Sequence, residues 1–190
     1  MGLNGAFFLK QLDGIIPDGE GFKRSIDVTE QIKGTAGAAL SATCTNVGRG
    51  AIETNYDGII ADASGTAVMS LSMLVPRDYD ADKDYMAVRF LTQMGGSTDT
   101  AIHIIGALFQ KKVVTALGSD LAPTQSAHIP VLTTKAGWVE VVADGEGLVP
   151  GSALYWEFTT TAHTNDAIHI YAVEVEYYSD LVYNDQDDRA

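Results

Sequence analysis

A chain of 190 residues suits one domain with short extensions, and at that length burial of about 70% of the unfolded surface makes a disulfide or metal staple unnecessary. Twelve lysines and arginines against 25 aspartates and glutamates leave a formal net charge of -13, which argues against nucleic acid or an anionic membrane surface as a direct ligand. The single cysteine, Cys44, cannot close an internal disulfide and reads as a small apolar filler.

The first residues carry no basic n-region, and the apolar run 6–9 is too short for a signal core. Ala6 stands where an N-myristoylation pattern wants Ser or Thr, and no run reaches the ~20 apolar residues of a transmembrane helix. Residues 1–24 read as an N-terminal arm, in which Phe7, Phe8, Leu9, Leu12, Ile15 and Ile16 are apolar while Gly14, Pro17, Gly19 and Gly21 interrupt any long element. Such an arm has to bury itself, on its own domain or on a neighbouring subunit. A strand is expected over 25–29, with Ile26 and Val28 on one face. Residues 34–50 are small and flexible in composition, holding a short strand near 40–44 or a long loop. Tyr56-Asp57-Gly58 predicts a turn.

Residues 66–75 form a long strand that Pro76 stops, and an acidic turn over 77–84 follows. Met86, Val88 and Phe90 share one face of the next strand. Gly95-Gly96-Ser97 then turns the chain into 101–111, apolar on both faces and therefore central. Residues 113–118 continue or bend that strand, and 119–125 form a loop. Residues 127–132 and 137–142 read as a strand pair. Leu154, Trp156 and Phe158 point inward against Tyr155, Glu157 and Thr159. The last strand alternates Tyr171, Val173, Val175 and Tyr177 with Ala172, Glu174, Glu176 and Tyr178. An acidic tail occupies 181–190.

Two stretches echo each other. Leu74-Val75-Pro76 leads through an alternating strand to Thr98-Asp99-Thr100-Ala101-Ile102-His103-Ile104. Leu148-Val149-Pro150 leads through another to Asn165-Asp166-Ala167-Ile168-His169-Ile170. A repeated unit of strand, Asp-bearing turn and strand is what two related Greek keys leave in a sequence. The expected fold is all-β: an antiparallel β-sandwich of jelly-roll type over 25–180, with an extended N-terminal arm.

No residues carry a catalytic signature, and no cofactor or metal is expected. Asp78, Asp80, Asp82 and Asp84 alternate, but a helix-loop-helix calcium site wants Gly at its sixth position and Glu at its twelfth, where Lys83 and Arg89 stand. His103 and His169 hold equivalent places in the repeat and read as its passengers, while His128 and His163 are isolated. Glu157, Glu174 and Glu176 lie on outward strand faces, so a glycosidase pair is not indicated. Tyr155, Tyr178 and Tyr183, with Trp138 near them, can form a sugar-stacking platform or a protein-contact patch, or pack under loops.

The run Met73-Leu74-Val75-Pro76-Arg77-Asp78-Tyr79-Asp80, the Asp-Ala-Ile-His-Ile strand and the closing Tyr171-Ala172-Val173-Glu174-Val175-Glu176-Tyr177 resemble the jelly-roll decoration, or cement, proteins on the heads of tailed bacteriophages. The resemblance covers about residues 66–178 and implies a non-enzymatic virion protein on the capsid exterior, assembled in the host cytoplasm. Its partner would be the major capsid protein, its own state a homo-oligomer with a trimer favoured. Contacts are expected from Phe7, Phe8, Leu9, Leu12, Ile15, Ile16, Tyr155, Tyr178 and Tyr183. The alternative is a carbohydrate- or receptor-binding β-sandwich that stacks its ligand on exposed aromatic rings.

Overall fold

The structure, a computed structural model, describes residues 22–32, 45–121, 126–144 and 147–180. Among these residues ten strands follow in chain order: β1 (Phe22–Asp27), β2 (Val47–Glu53), β3 (Tyr56–Ala61), β4 (Val68–Leu74), β5 (Tyr85–Met94), β6 (His103–Lys111), β7 (Ser126–His128), β8 (Gly137–Asp144), β9 (Ala153–Thr160) and β10 (Ile168–Ser179). One turn of 3-10 helix, Thr29–Gln31, interrupts them.

The larger sheet runs β2-β3-β10-β5-β8, with β1 also paired to β10; the smaller runs β4-β9-β6-β7. Every pairing is antiparallel. With β1 and β2 set aside, the orders 3-10-5-8 and 4-9-6-7 are those of an eight-stranded jelly roll. The chain changes sheet at every connection from β3 to β10 except β6 to β7.

Alternation puts one side of each long strand between the sheets. Met86, Val88 and Phe90 from β5 and Val173, Val175 and Tyr177 from β10 meet Met69, Leu71, Leu108, Trp156 and Phe158 from the smaller sheet, all buried. Phe90 meets Phe158 edge-on at 4.9 Å between ring centres, and Trp156 stacks on Phe158 at 5.4 Å. Each such large side chain contributes roughly 1.5–3 kcal/mol by leaving water. The sheets come close at Gly106, where a Cβ would lie 2.7 Å from Val141 Cγ1 and 2.9 Å from Trp156 Nε1.

The repeat becomes β5–β6 and β9–β10, whose members lie in opposite sheets. Their connecting loops meet at one end of the sandwich and exchange hydrogen bonds. Asp99 Oδ2 accepts from the backbone N–H groups of Thr164, Asn165 and Asp166 at 3.2, 2.9 and 2.9 Å. Asp166 Oδ2 accepts from those of Thr98 and Asp99 at 2.6 and 2.7 Å. The hydrogen bond from the Asn165 side chain, then those from the backbone amides, hold the Asp99 carboxyl down at about 2. Asp166 fits against the neighbouring loop because position 96 is glycine: a Cβ there would lie 2.0 Å from Asp166 Oδ1.

The acidic turn closes the opposite end. Asp78 accepts from Arg24, Tyr177 and Ser179, and these hydrogen bonds overcome the upward pull of burial to leave its carboxyl below the ordinary range. Asp80 Oδ1 caps the N–H of Asp82 at 3.0 Å.

Several strand assignments need correcting. The first strand among the described residues begins at Phe22, inside the arm expected over 1–24, and ends at Asp27, before the 3-10 turn. Tyr56-Asp57-Gly58 is the start of β3, and the turn lies at Thr54-Asn55. The segments expected to pair, 127–132 and 137–142, yield β7 and β8 in different sheets, because the chain crosses the sandwich between them. Strand β6 lies inside its sheet, between β9 and β7, yet shows one face to solvent: Ile105 is 40% exposed. The possible strand at 40–44, Cys44 and the tail over 181–190 lie outside the described residues.

Candidate functional site

The outer face of the larger sheet gathers aromatic and charged side chains. Register places them in rows: Glu140, Arg89, Glu174 and Asp27 across β8, β5, β10 and β1; then Trp138, Leu91 and Ala172; then, toward the opposite strand ends, Tyr85 on β5 beside the Tyr178–Lys23 pair. A bulge in β10 between Ile170 and Ala172 leaves Tyr171 unpaired with β5. One extra residue lets Tyr171 and Ala172 both reach the outer surface and restores Val173 to the core. Strict alternation had placed Tyr171 on the Val173 side; the bulge corrects that.

Arg89 is the hub. Its Nη1 lies 2.7 Å from Glu174 Oε1 and 3.3 Å from Glu176 Oε2, and its Nε lies 3.8 Å from Glu140 Oε2. The guanidinium also sits 4.8 Å from the centre of the Trp138 ring, which is 43% exposed on its edge-strand position. Three carboxylates around one guanidinium leave this part of the face negative.

Lys23 extends the network. Its ammonium bonds Glu176 at 2.9 Å and lies 4.1 Å from the Tyr85 ring centre and 5.3 Å from that of Tyr178. Tyr85 donates to Glu176 at 2.8 Å and packs on Tyr178 at 5.5 Å. Burial, then the hydrogen bond to Glu176, pushes the Tyr85 phenol well above its ordinary value. Burial also works to raise Glu176, but hydrogen bonds from Lys23 and Tyr85 prevail and its carboxyl ends below the usual range. A catalytic proton donor would need the opposite shift.

A second aromatic pair lies across the bulge. Tyr56 and Tyr171 are 5.4 Å apart and tilted, and Tyr171 donates to Glu53 at 2.6 Å. Burial and that hydrogen bond push Tyr171 up to about 12. Strand spacing sets Trp138 on β8 and Tyr171 on β10 roughly 10 Å apart across the sheet.

The residues singled out from sequence separate. Tyr178 and Trp138 do lie on this face, whereas Tyr155 is on β9, outward on the smaller sheet, with its hydroxyl donating to Glu157 at 3.4 Å. Phe7, Phe8, Leu9, Leu12, Ile15, Ile16 and Tyr183 lie outside the described residues. Arg89, Tyr85, Tyr56 and Tyr171 were not singled out, although the outward parity of β5 signalled the first two. Among the described residues, no group of three or more His, Cys, Asp or Glu side chains is arranged to hold a metal ion. No described helix is long and apolar enough to cross a membrane.

No family model and no curated protein matches the chain. Solved structures do align with it. A xylan-binding module, CBM15, aligns at a TM-score of 0.47 and 10% identity, covering 83% of this chain and 97% of that one. CBM35 from Cellvibrio japonicus Abf62 aligns at 0.41 and 9%, covering 83% and 98%. The enzymatically active domain of tailspike protein 4 of bacteriophage CBA120 aligns at 0.40 and 9%, covering 80% of this chain and 19% of that one. Two of these three neighbours, CBM15 and CBM35, are carbohydrate-binding modules.

Proposed function

We propose that this chain is a non-enzymatic carbohydrate-binding β-sandwich, and that its ligand lies across the outer face of the larger sheet. The observation that carries the reading is Trp138: a large ring, 43% exposed, backed by the Arg89 guanidinium, which the Glu140 and Glu174 carboxylates hold in turn. A sugar ring offers C–H groups on its faces and hydroxyls around its rim. An aromatic plate takes the first, and planar charged side chains fixed by their neighbours take the second at little entropic cost. Tyr171 and Tyr56 lie across the strands from Trp138, giving a chain of sugar units a second place to stack. Arg89, already held by carboxylates, needs no rearrangement to receive a hydroxyl.

The capsid-stabilising role implied by the sequence resemblance draws no support from this face or from the fold likenesses. Calorimetric titration against soluble neutral polysaccharides tests the proposal. Binding to at least one is expected, and Trp138→Ala should weaken it about thirtyfold, as loss of a central aromatic anchor of about 2 kcal/mol does. Tyr155→Ala, on the other sheet, should leave it unchanged. A panel without binders, or a Trp138→Ala variant of undiminished affinity, contradicts the reading.

A further inference from the structure

The edge of the smaller sheet brings together two histidines that lie far apart in sequence. His103 on β6 and His128 on β7 are direct partners across the strand pair, with ring centres 5.2 Å apart and planes at 72°. The backbone at His103 is fixed: its N–H donates to Thr161 Oγ1 at 3.0 Å and its carbonyl accepts from the Thr161 N–H at 2.9 Å. His128 lies on the outermost strand of the sheet and is exposed, while His103 is half-buried.

Each ring is oriented through one nitrogen. His128 Nε2 lies 3.3 Å from the Thr100 carbonyl, which can only accept, so Nε2 carries the proton and Nδ1 the lone pair. His103 Nδ1 lies 3.1 Å from Ser126 Oγ, which can accept its proton and leave the lone pair on Nε2. Metal-binding histidines commonly show this arrangement, with the nitrogen away from the metal tied to a carbonyl or hydroxyl that sets tautomer and orientation. The separation also fits. Two imidazole nitrogens held about 2 Å from a tetrahedral ion, each roughly 1.1 Å from its own ring centre, set the rings about 5 Å apart.

We propose that His103 and His128 form a two-histidine site for zinc or a similar borderline divalent ion, with water completing the coordination. Imidazole is a ligand such ions favour. Two protein ligands and an exposed strand make it an open, exchangeable site, not a structural staple. The proposal is independent of glycan binding, since the site lies on the other sheet from Trp138.

The test is a zinc titration of the untagged full chain, carrying Cys44→Ser to remove its single thiol, followed by calorimetry and by NMR of the imidazole nitrogens. One saturable zinc per chain is expected, with the His103 and His128 signals shifting and those of His163 and His169 unmoved. His103→Asn and His128→Asn should each weaken binding at least about tenfold, and His169→Asn should not. The NMR readout keeps the test decisive if a variant folds poorly. Absence of saturable binding, shifts confined to other histidines, or unchanged affinity in both folded variants overturns the site.

Discussion

At the scale of single residues, Asp99 and Asp166 show why both halves of the repeat carry an aspartate in the turn. Each accepts hydrogen bonds from the other's loop, so neither loop holds its shape alone. Removing the buried partner with Asp166→Ala strands two backbone donors and should cost about 1–3 kcal/mol in urea unfolding. Gly96→Ala should cost a similar amount, about 1–3 kcal/mol, because the Asp166 carboxylate must give way to the added methyl. The acid response has a definite sign. Asp99 is held at about 2, below the unfolded value of about 3.9, so its contribution is present above pH 4 and is lost as pH falls toward 2. Asp99→Asn should flatten the fall in melting temperature over that window; an unchanged slope would show that other carboxylates carry it.

At the scale of elements, the strand pattern was legible wherever one face is buried. In β5 and β9 apolar side chains recur at every second residue, and those positions are the core. Three features were not legible. Alternation fails at Tyr171, because a bulge leaves no mark on composition and only the pairing with β5 reveals the extra residue. Segments 127–132 and 137–142 looked like a hairpin because they are close in sequence, whereas their partners are β6 and β5, set by the crossing between sheets. The paired histidines stayed hidden for the same reason. His103 was matched to His169 by the repeat, while space matches it to His128. The outer face is half legible: Trp138 and Tyr178 stand out in the sequence, but Arg89 matters through neighbours on two other strands, β8 and β10. Sheet packing gives its own prediction. Gly106→Ala would press a methyl on Val141 and the Trp156 ring and should cost about 1–3 kcal/mol, measured by thermal melting. A neutral result would mean that the sheets separate locally without penalty.

At the scale of the whole molecule, the sandwich has two dissimilar outer faces. The larger sheet presents Trp138, tyrosines and a charged network, while the smaller presents Ile105, Phe109 and Tyr155 around Glu157. The net charge of -13 opposes acidic ligands at a face where carboxylates already surround Arg89, which favours an uncharged glycan. The trimer and the arm contacts remain proposals for native mass measurement. Binding through the larger sheet can be read optically, because the chain has two tryptophans, with Trp156 buried and Trp138 exposed. Acrylamide should therefore quench Trp138 alone, and a saturating neutral glycan should abolish that quenching. A glycan that binds while Trp138 stays as quenchable as before would contradict the account.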